Sequence, residues 1–252
     1  MKPCLMLLPG SLCDAGVWAP QIEAFAGAYD VLVPDLKGLA TLDARARAAI
    51  DLFDRSRMSQ PRLSQPQAPG SQFSGPQMSV AGHALGARVA LEMVRLAPER
   101  IARLALVSPS IAPVAANEAV KRQEGIGLAF QQGMAELARR YCAHMIMPER
   151  SDDAALVGQI SAMVQRFTPA QYELEQTMLL RRPDQQPVLA AIRCPTLVLA
   201  GADDPLSPQA RNHQIAAEIA GAALTFIAGG GHFPMLEAPA DTTAALRQWL
   251  QS

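Results

Sequence analysis

Three groups of residues in this sequence have the types and spacing to do covalent chemistry together. The stretch SVAGHALGARVALEMV, residues 79–94, passes from a β-type apolar run through Gly82-His83-Ala84-Leu85-Gly86 into a helical pattern. Glycine at 82 and 86 permits a reversal from strand to helix so tight that a Cβ at either place would meet backbone. Ala84, between them, is then pushed out above the strand in a strained conformation, and the Leu85 amide faces the same space from the helix N-terminus. A nucleophile would be presented at position 84, where this chain carries a methyl group. Downstream, PTLVLAGADDPLSP places Asp203 and Asp204 just after an apolar run, and LTFIAGGGHFPMLEAP places His232 in a glycine-rich loop after the last such run. Ends of neighbouring parallel strands lie roughly 5 Å apart. A carboxylate there can hold the imidazole in the tautomer that removes a hydroxyl proton. Each residue has an ordinary alternative: Ala84 as a helix start, Asp204 as a turn residue, His232 as a loop histidine bonded to backbone. All three, each at the C-terminal edge of a strand, favour one shared site over three unrelated residues.

The segment GHALGARVALEM resembles the nucleophile elbow G-x-S-x-G of the α/β-hydrolase superfamily, with alanine in place of its serine. That resemblance implies Asp204 as the triad acid, in the setting G-x-x-D-x-x-x-P counted from Gly201, with Asp203 as a turn residue, and His232 as the base. The chain order 84, 204, 232 is the family's order of nucleophile, acid and histidine. The N-terminal LLPGSLCDAGVW resembles the family's H-G-x oxyanion loop, with Pro9 where histidine is commoner. By that resemblance the backbone N–H groups of Ser11 and Leu85 would hold the oxyanion of a tetrahedral intermediate. The segment QYELEQTMLLRRPDQQPVLAAIRCPTLVLAG is similar to small bacterial carboxylesterases of the superfamily, where Arg-Pro-Asp links lid to core. A lid-to-core salt bridge from Arg181, Arg182 and Asp184 is expected there, ahead of contact with a substrate carboxylate. The resemblance spans residues 5–250 apart from one Ser/Gln/Pro-rich stretch, and lacks the first two strands usual in the family. It implies a small-molecule ester or related acyl substrate and requires neither metal nor organic cofactor.

Positioning these groups needs a sheet. Short apolar runs at 4–8, 30–34, 77–81, 104–107, 196–200 and 224–227 alternate with helical patterns at 17–26, 42–54, 84–96, 208–220 and 239–251. This alternation predicts an α/β fold with a mainly parallel sheet of about six strands and helices on both faces. Residues 55–76 are rich in Ser, Gln and Pro and predict a flexible insertion. Residues 112–189 carry amphipathic helical periodicity without a strand-like run, enough for three or four helices. The expected organisation is a core of 1–111 and 190–252 with a helical lid of 112–189, the lid's Met, Leu and Phe residues lining a pocket between them.

Composition narrows the partners. The 252 residues are 50% hydrophobic, and 22 Lys plus Arg against 23 Asp plus Glu leave a net charge of -1. Neither sign forms a run that could track a phosphate backbone, which argues against nucleic acid. The N-terminus is too short in apolar residues for a signal peptide, and no run approaches the ~18 residues of a membrane span. Four scattered cysteines show neither C-x-x-C nor a metal-ligand cluster, the usage of a reduced, cytoplasmic protein. Oligomeric state is silent.

Alanine at 84 has no hydroxyl, so the usual acyl-enzyme cannot form. In subtilisin, loss of the nucleophile costs about a millionfold in turnover. Three readings follow. The favoured one is a carboxylesterase-like serine hydrolase, inactive because serine at 84 has been replaced, so that substrate is trapped. The second is a natural binding or sensing protein, resembling the hormone receptors that share the fold. The third is an enzyme needing only the His–Asp pair, resembling the superfamily's lyases and cofactor-free oxygenases. Ester, thioester, lactone and carbon–carbon cleavage use the same parts.

Overall fold

The computed structural model describes residues 2–58 and 75–252. Six strands form one sheet: β1 (Cys4–Leu8), β2 (Asp30–Leu32), β3 (Met78–His83), β4 (Ile101–Val107), β5 (Thr196–Gly201) and β6 (Ala223–Ile227). Their order is β2-β1-β3-β4-β5-β6, every pair parallel. The strands read as continuous apolar runs because both faces are covered. Successive side chains alternate between two cores. Met6, Leu8, Val80, Leu104, Leu106 and Val198 face helices α2 (Leu42–Met58), α3 (Leu85–Leu96) and α8 (Gln209–Glu218). Leu5, Leu7, Ala81, Val107, Leu197 and Leu199 face α1 (Ala19–Phe25), the short α9 (Pro234–Glu237) and α10 (Pro239–Gln251), with Trp18 and Trp249 as large buried rings.

Between β4 and β5 the chain builds α4 (Glu118–Met145), α5 (Ala154–Gln165), α6 (Pro169–Leu180) and the short α7 (Gln186–Leu189). Helix α4 is broken at Gly133, whose φ of 81° and ψ of 172° leave the helical region. Helix α6 opens with a capping box, Thr168 and Gln171 each bonding the other's backbone, and Pro169 at its first turn. Ile126, Leu128, Leu137, Val164, Phe167 and Tyr172 form a third apolar cluster that closes on Leu12, just beyond β1.

Four of the departures from the expected boundaries have a local cause. Strand β2 stops at Leu32, ahead of Pro34, which cannot donate to a ladder. The helix expected over 17–26 divides into a 3₁₀ turn, Ala15–Trp18, and α1, with Pro20 in the first turn of α1. Helix α3 starts at Leu85, with Ala84 as its cap. Helix α2 runs to Met58, into the stretch expected to be loop, because Phe53 packs in the core and Arg57 pairs with Asp30. The rest of that expectation, 59–74, lies outside the described residues.

Candidate active site

At the C-terminal end of β3 the backbone turns through Ala84 with φ 49° and ψ −107°, a region alanine rarely occupies. Two close approaches fix the turn. A Cβ on Gly82 would lie 2.3 Å from the Gly86 carbonyl oxygen, and one on Gly86 would lie 2.2 Å from that of Leu8. The start of α3 is therefore pressed against the end of β1, and the Ala84 amide donates to the Val107 carbonyl at 2.9 Å. Gly10 flanks position 84: a Cβ built on it would sit 3.4 Å from the Ala84 methyl carbon. Among the described residues neither the Ser11 nor the Leu85 amide has an acceptor.

The acid and base candidates meet. His232 Nδ1 lies 3.0 Å from both carboxylate oxygens of Asp204, and each residue is 3% exposed. Asp204 Oδ1 also accepts from the amides of Leu206 (2.8 Å) and Ser207 (3.0 Å). Burial alone would raise this carboxyl, but the charge and hydrogen bond of His232 outweigh it and hold Asp204 down to about 2. Asp203 is exposed, and its backbone amide donates to the Gly230 carbonyl. Ser207 anchors the acid loop, its hydroxyl donating to the Pro109 carbonyl at 2.6 Å while Asn212 donates to it in turn.

The histidine loop is held from three sides. His83 Nε2 bonds the His232 carbonyl at 2.8 Å, so that nitrogen carries the proton and Nδ1 is left bare. Burial, with the charge of His232 adding to it, lowers His83 to about 3, which keeps it neutral. The His232 amide donates to the Met145 carbonyl at 3.0 Å. Glu237 accepts from the amides of Phe233 (2.8 Å) and Met147 (3.1 Å).

Around Ser11 the structure adds residues that sequence reasoning missed. Its hydroxyl donates to Glu175 Oε2 at 2.7 Å, and Glu175 Oε1 pairs with Arg45 Nη1 at 3.1 Å. Glu175 sits in QYELEQTMLL, where the signal was one acidic side chain on a face that helical spacing turns inward. On the β2 side of this loop lies a cleft of about 350 Å³ lined by Gly10, Lys37, Arg45, Phe167 and Glu175 among others; Ala84 and His232 do not line it. Arg182 pairs with Glu118 at 2.5 Å and donates to the Ala112 and Pro113 carbonyls. That bridge ties the end of α6 to the start of α4, within the inserted helices and not from them to the core; Asp184 caps the Gln186 amide instead of pairing. Among the described residues no three His, Cys, Asp or Glu side chains gather as a metal site, and no helix is long and apolar enough to cross a membrane.

Comparison with known proteins places these features in a family. A profile of the alpha/beta hydrolase family matches residues 5–246. The chain is 28% identical over 261 residues to a pimeloyl-(acyl-carrier protein) methyl ester esterase of Xanthomonas oryzae pv. oryzae, spanning 99% of this chain and 96% of that protein. In fold it is similar to an esterase from Thermogutta terrifontis solved with malate bound, with TM-score 0.87 and 23% identity over 100% of this chain and 90% of that one. A hydrolase from Pseudomonas aeruginosa PA01 gives TM-score 0.81 and 25% identity, over 100% and 91%.

Proposed function

Because the chain belongs to the alpha/beta hydrolase family, we propose that its site is that of a serine-type carboxylic ester hydrolase, left without turnover by alanine at position 84. The observation that carries this reading is the His232–Asp204 pair at 3.0 Å, retained beside a turn that keeps the strained backbone of a nucleophile position. Strain of this kind costs of order 1–3 kcal/mol. Residues 112–189 act as a lid on the core of 1–111 and 190–252, and the ligand is a small ester or related acyl compound held between them.

With serine restored at position 84, its hydroxyl attacks the ester carbonyl carbon while His232 takes the proton, and Asp204 stabilises the imidazolium through Nδ1. The amides of Ser11 and Leu85 donate to the oxyanion. Collapse expels the alcohol, which receives the proton from His232, and water activated by the same imidazole releases the acid. With alanine the sequence of steps halts before the first bond forms, and the chain binds ester without cleaving it.

The test is Ala84→Ser, assayed on short-chain aryl esters. A gain of at least about a thousandfold over the alanine chain is expected, against the roughly millionfold cost of losing a nucleophile. No gain from a folded variant ends the reading. Turnover by the alanine chain that vanishes in His232→Ala would replace it with a His–Asp mechanism.

A further inference from the structure

The carboxylate of Glu175 is placed to set the shape of the loop after β1. It is carried by α6, an inserted helix, yet all its bonds go to the core: Oε2 accepts from the Ser11 hydroxyl at 2.7 Å and the Leu12 amide at 3.0 Å, and Oε1 from Arg45 Nη1 at 3.1 Å. Both partners of the ion pair have side chains 4% exposed. Burying such a pair costs desolvation that its attraction often only offsets, so apolar residues of similar volume would serve stability as well. Its bonds act on a specific turn. The Cys13 amide closes a four-residue turn on the Gly10 carbonyl at 3.3 Å, and Leu12, third in that turn, has φ 57°. That position favours glycine. With leucine there, the turn persists because its surroundings impose it.

We infer that Glu175 is a positioning residue that holds the Ser11 amide in place as an oxyanion donor; this rests on the ester-hydrolase reading above. Ser11 is gripped at both ends of its residue. Its side chain donates to Glu175 and accepts from the side-chain Nε2 of Gln176 at 3.4 Å; its carbonyl accepts from the Tyr141 hydroxyl at 3.3 Å. These three partners come from α4 and α6. The donor geometry is therefore set by how the inserted helices seat on the core, and Arg45, itself anchored by Nε to the Leu39 carbonyl at 3.0 Å, fixes the carboxylate from the core side.

Two measurements test the inference separately from the reading it rests on. In the alanine chain, Glu175→Gln lowers hydrogen-exchange protection of the Leu12 amide at least tenfold while that of Leu7 in β1 is unchanged; unchanged protection at Leu12 overturns the inference. In the Ala84→Ser background, Glu175→Gln lowers kcat about tenfold to a hundredfold with KM within about twofold, the mark of a donor misplaced in the transition state. A kcat within threefold, or a loss carried by KM, overturns it. If Glu175→Gln does not fold, Ser11→Ala removes the 2.7 Å donor and leaves the ion pair intact, and at least a threefold fall in kcat at constant KM is required. An inactive Ala84→Ser chain would sink the hydrolase reading, and the exchange measurement would still judge the clamp.

Discussion

Replacing Ala84 by glycine should stabilise the protein, against the ordinary rule for alanine. Relief of φ 49° and ψ −107° returns about 1–3 kcal/mol. Against it stand about 0.4–1 kcal/mol for the greater freedom of glycine in the unfolded chain and less than about 0.8 kcal/mol for a methyl group only partly buried here. Ala84 caps α3 without a side-chain hydrogen bond, and glycine is the better cap of the two. The net is a gain of about 1 kcal/mol, or roughly 2–4 °C in Tm for a chain of this size. Urea unfolding followed by the fluorescence of Trp18 and Trp249, both in the core, reads the difference directly. A loss of about 1 kcal/mol or more, beyond what these terms allow with strain present, would mean that the backbone at 84 is not strained, and the case for a presented nucleophile would lose its geometric basis.

Two further outcomes are expected. In the Ala84→Ser background, Asp204→Asn should lower kcat by about ten-thousandfold, as loss of the correct tautomer does in other triads, and His232→Ala, which removes the base itself, by about a millionfold; steady-state rates that stay within tenfold would remove these residues from the mechanism. Acid should also reveal the pair. Asp204 lies below its ordinary 3.8, at about 2, so its contribution of about 2 kcal/mol is complete above pH ~4 and is lost as pH falls towards 2. Urea midpoints of the parent chain and Asp204→Asn should converge across that window; a constant difference from pH 5 to 2.5 would contradict the assignment.

The strands were legible because each is an apolar run ended by Gly, Pro or Asp, and the helices because their apolar residues recur every three to four positions. Their order in the sheet was not: nothing in CLMLL says that its neighbours are DVL and MSVAGH. Gly82 and Gly86 announced the turn at 84, since a close approach leaves its mark in the residue type itself. Asp204 and His232 were readable as candidates from their places after β5 and β6, and the preference for 204 over 203 came from the resemblance to the superfamily's G-x-x-D setting, counted from Gly201. Glu175 and Arg45 escaped because the two lie 130 residues apart in sequence, and an inward-turned helical face says that a charge is buried without saying against what. The same holds for Arg182, whose charge suggested a bridge to the core while its partner, Glu118, lies at the start of α4.

One consequence of the sheet concerns how it comes together. Strands β4 and β5 pair through Leu104 and Thr196, about ninety residues apart, and joining ends across so long a flexible tether costs about 4 kcal/mol of chain entropy. Helices α4, α5 and α6 pack on one another within that stretch, and whatever part of that packing forms ahead of the strand pairing shortens the tether. The inserted helices thus bridge the break in the very sheet they interrupt, and a cut between them would leave two fragments joined through a shared ladder of hydrogen bonds.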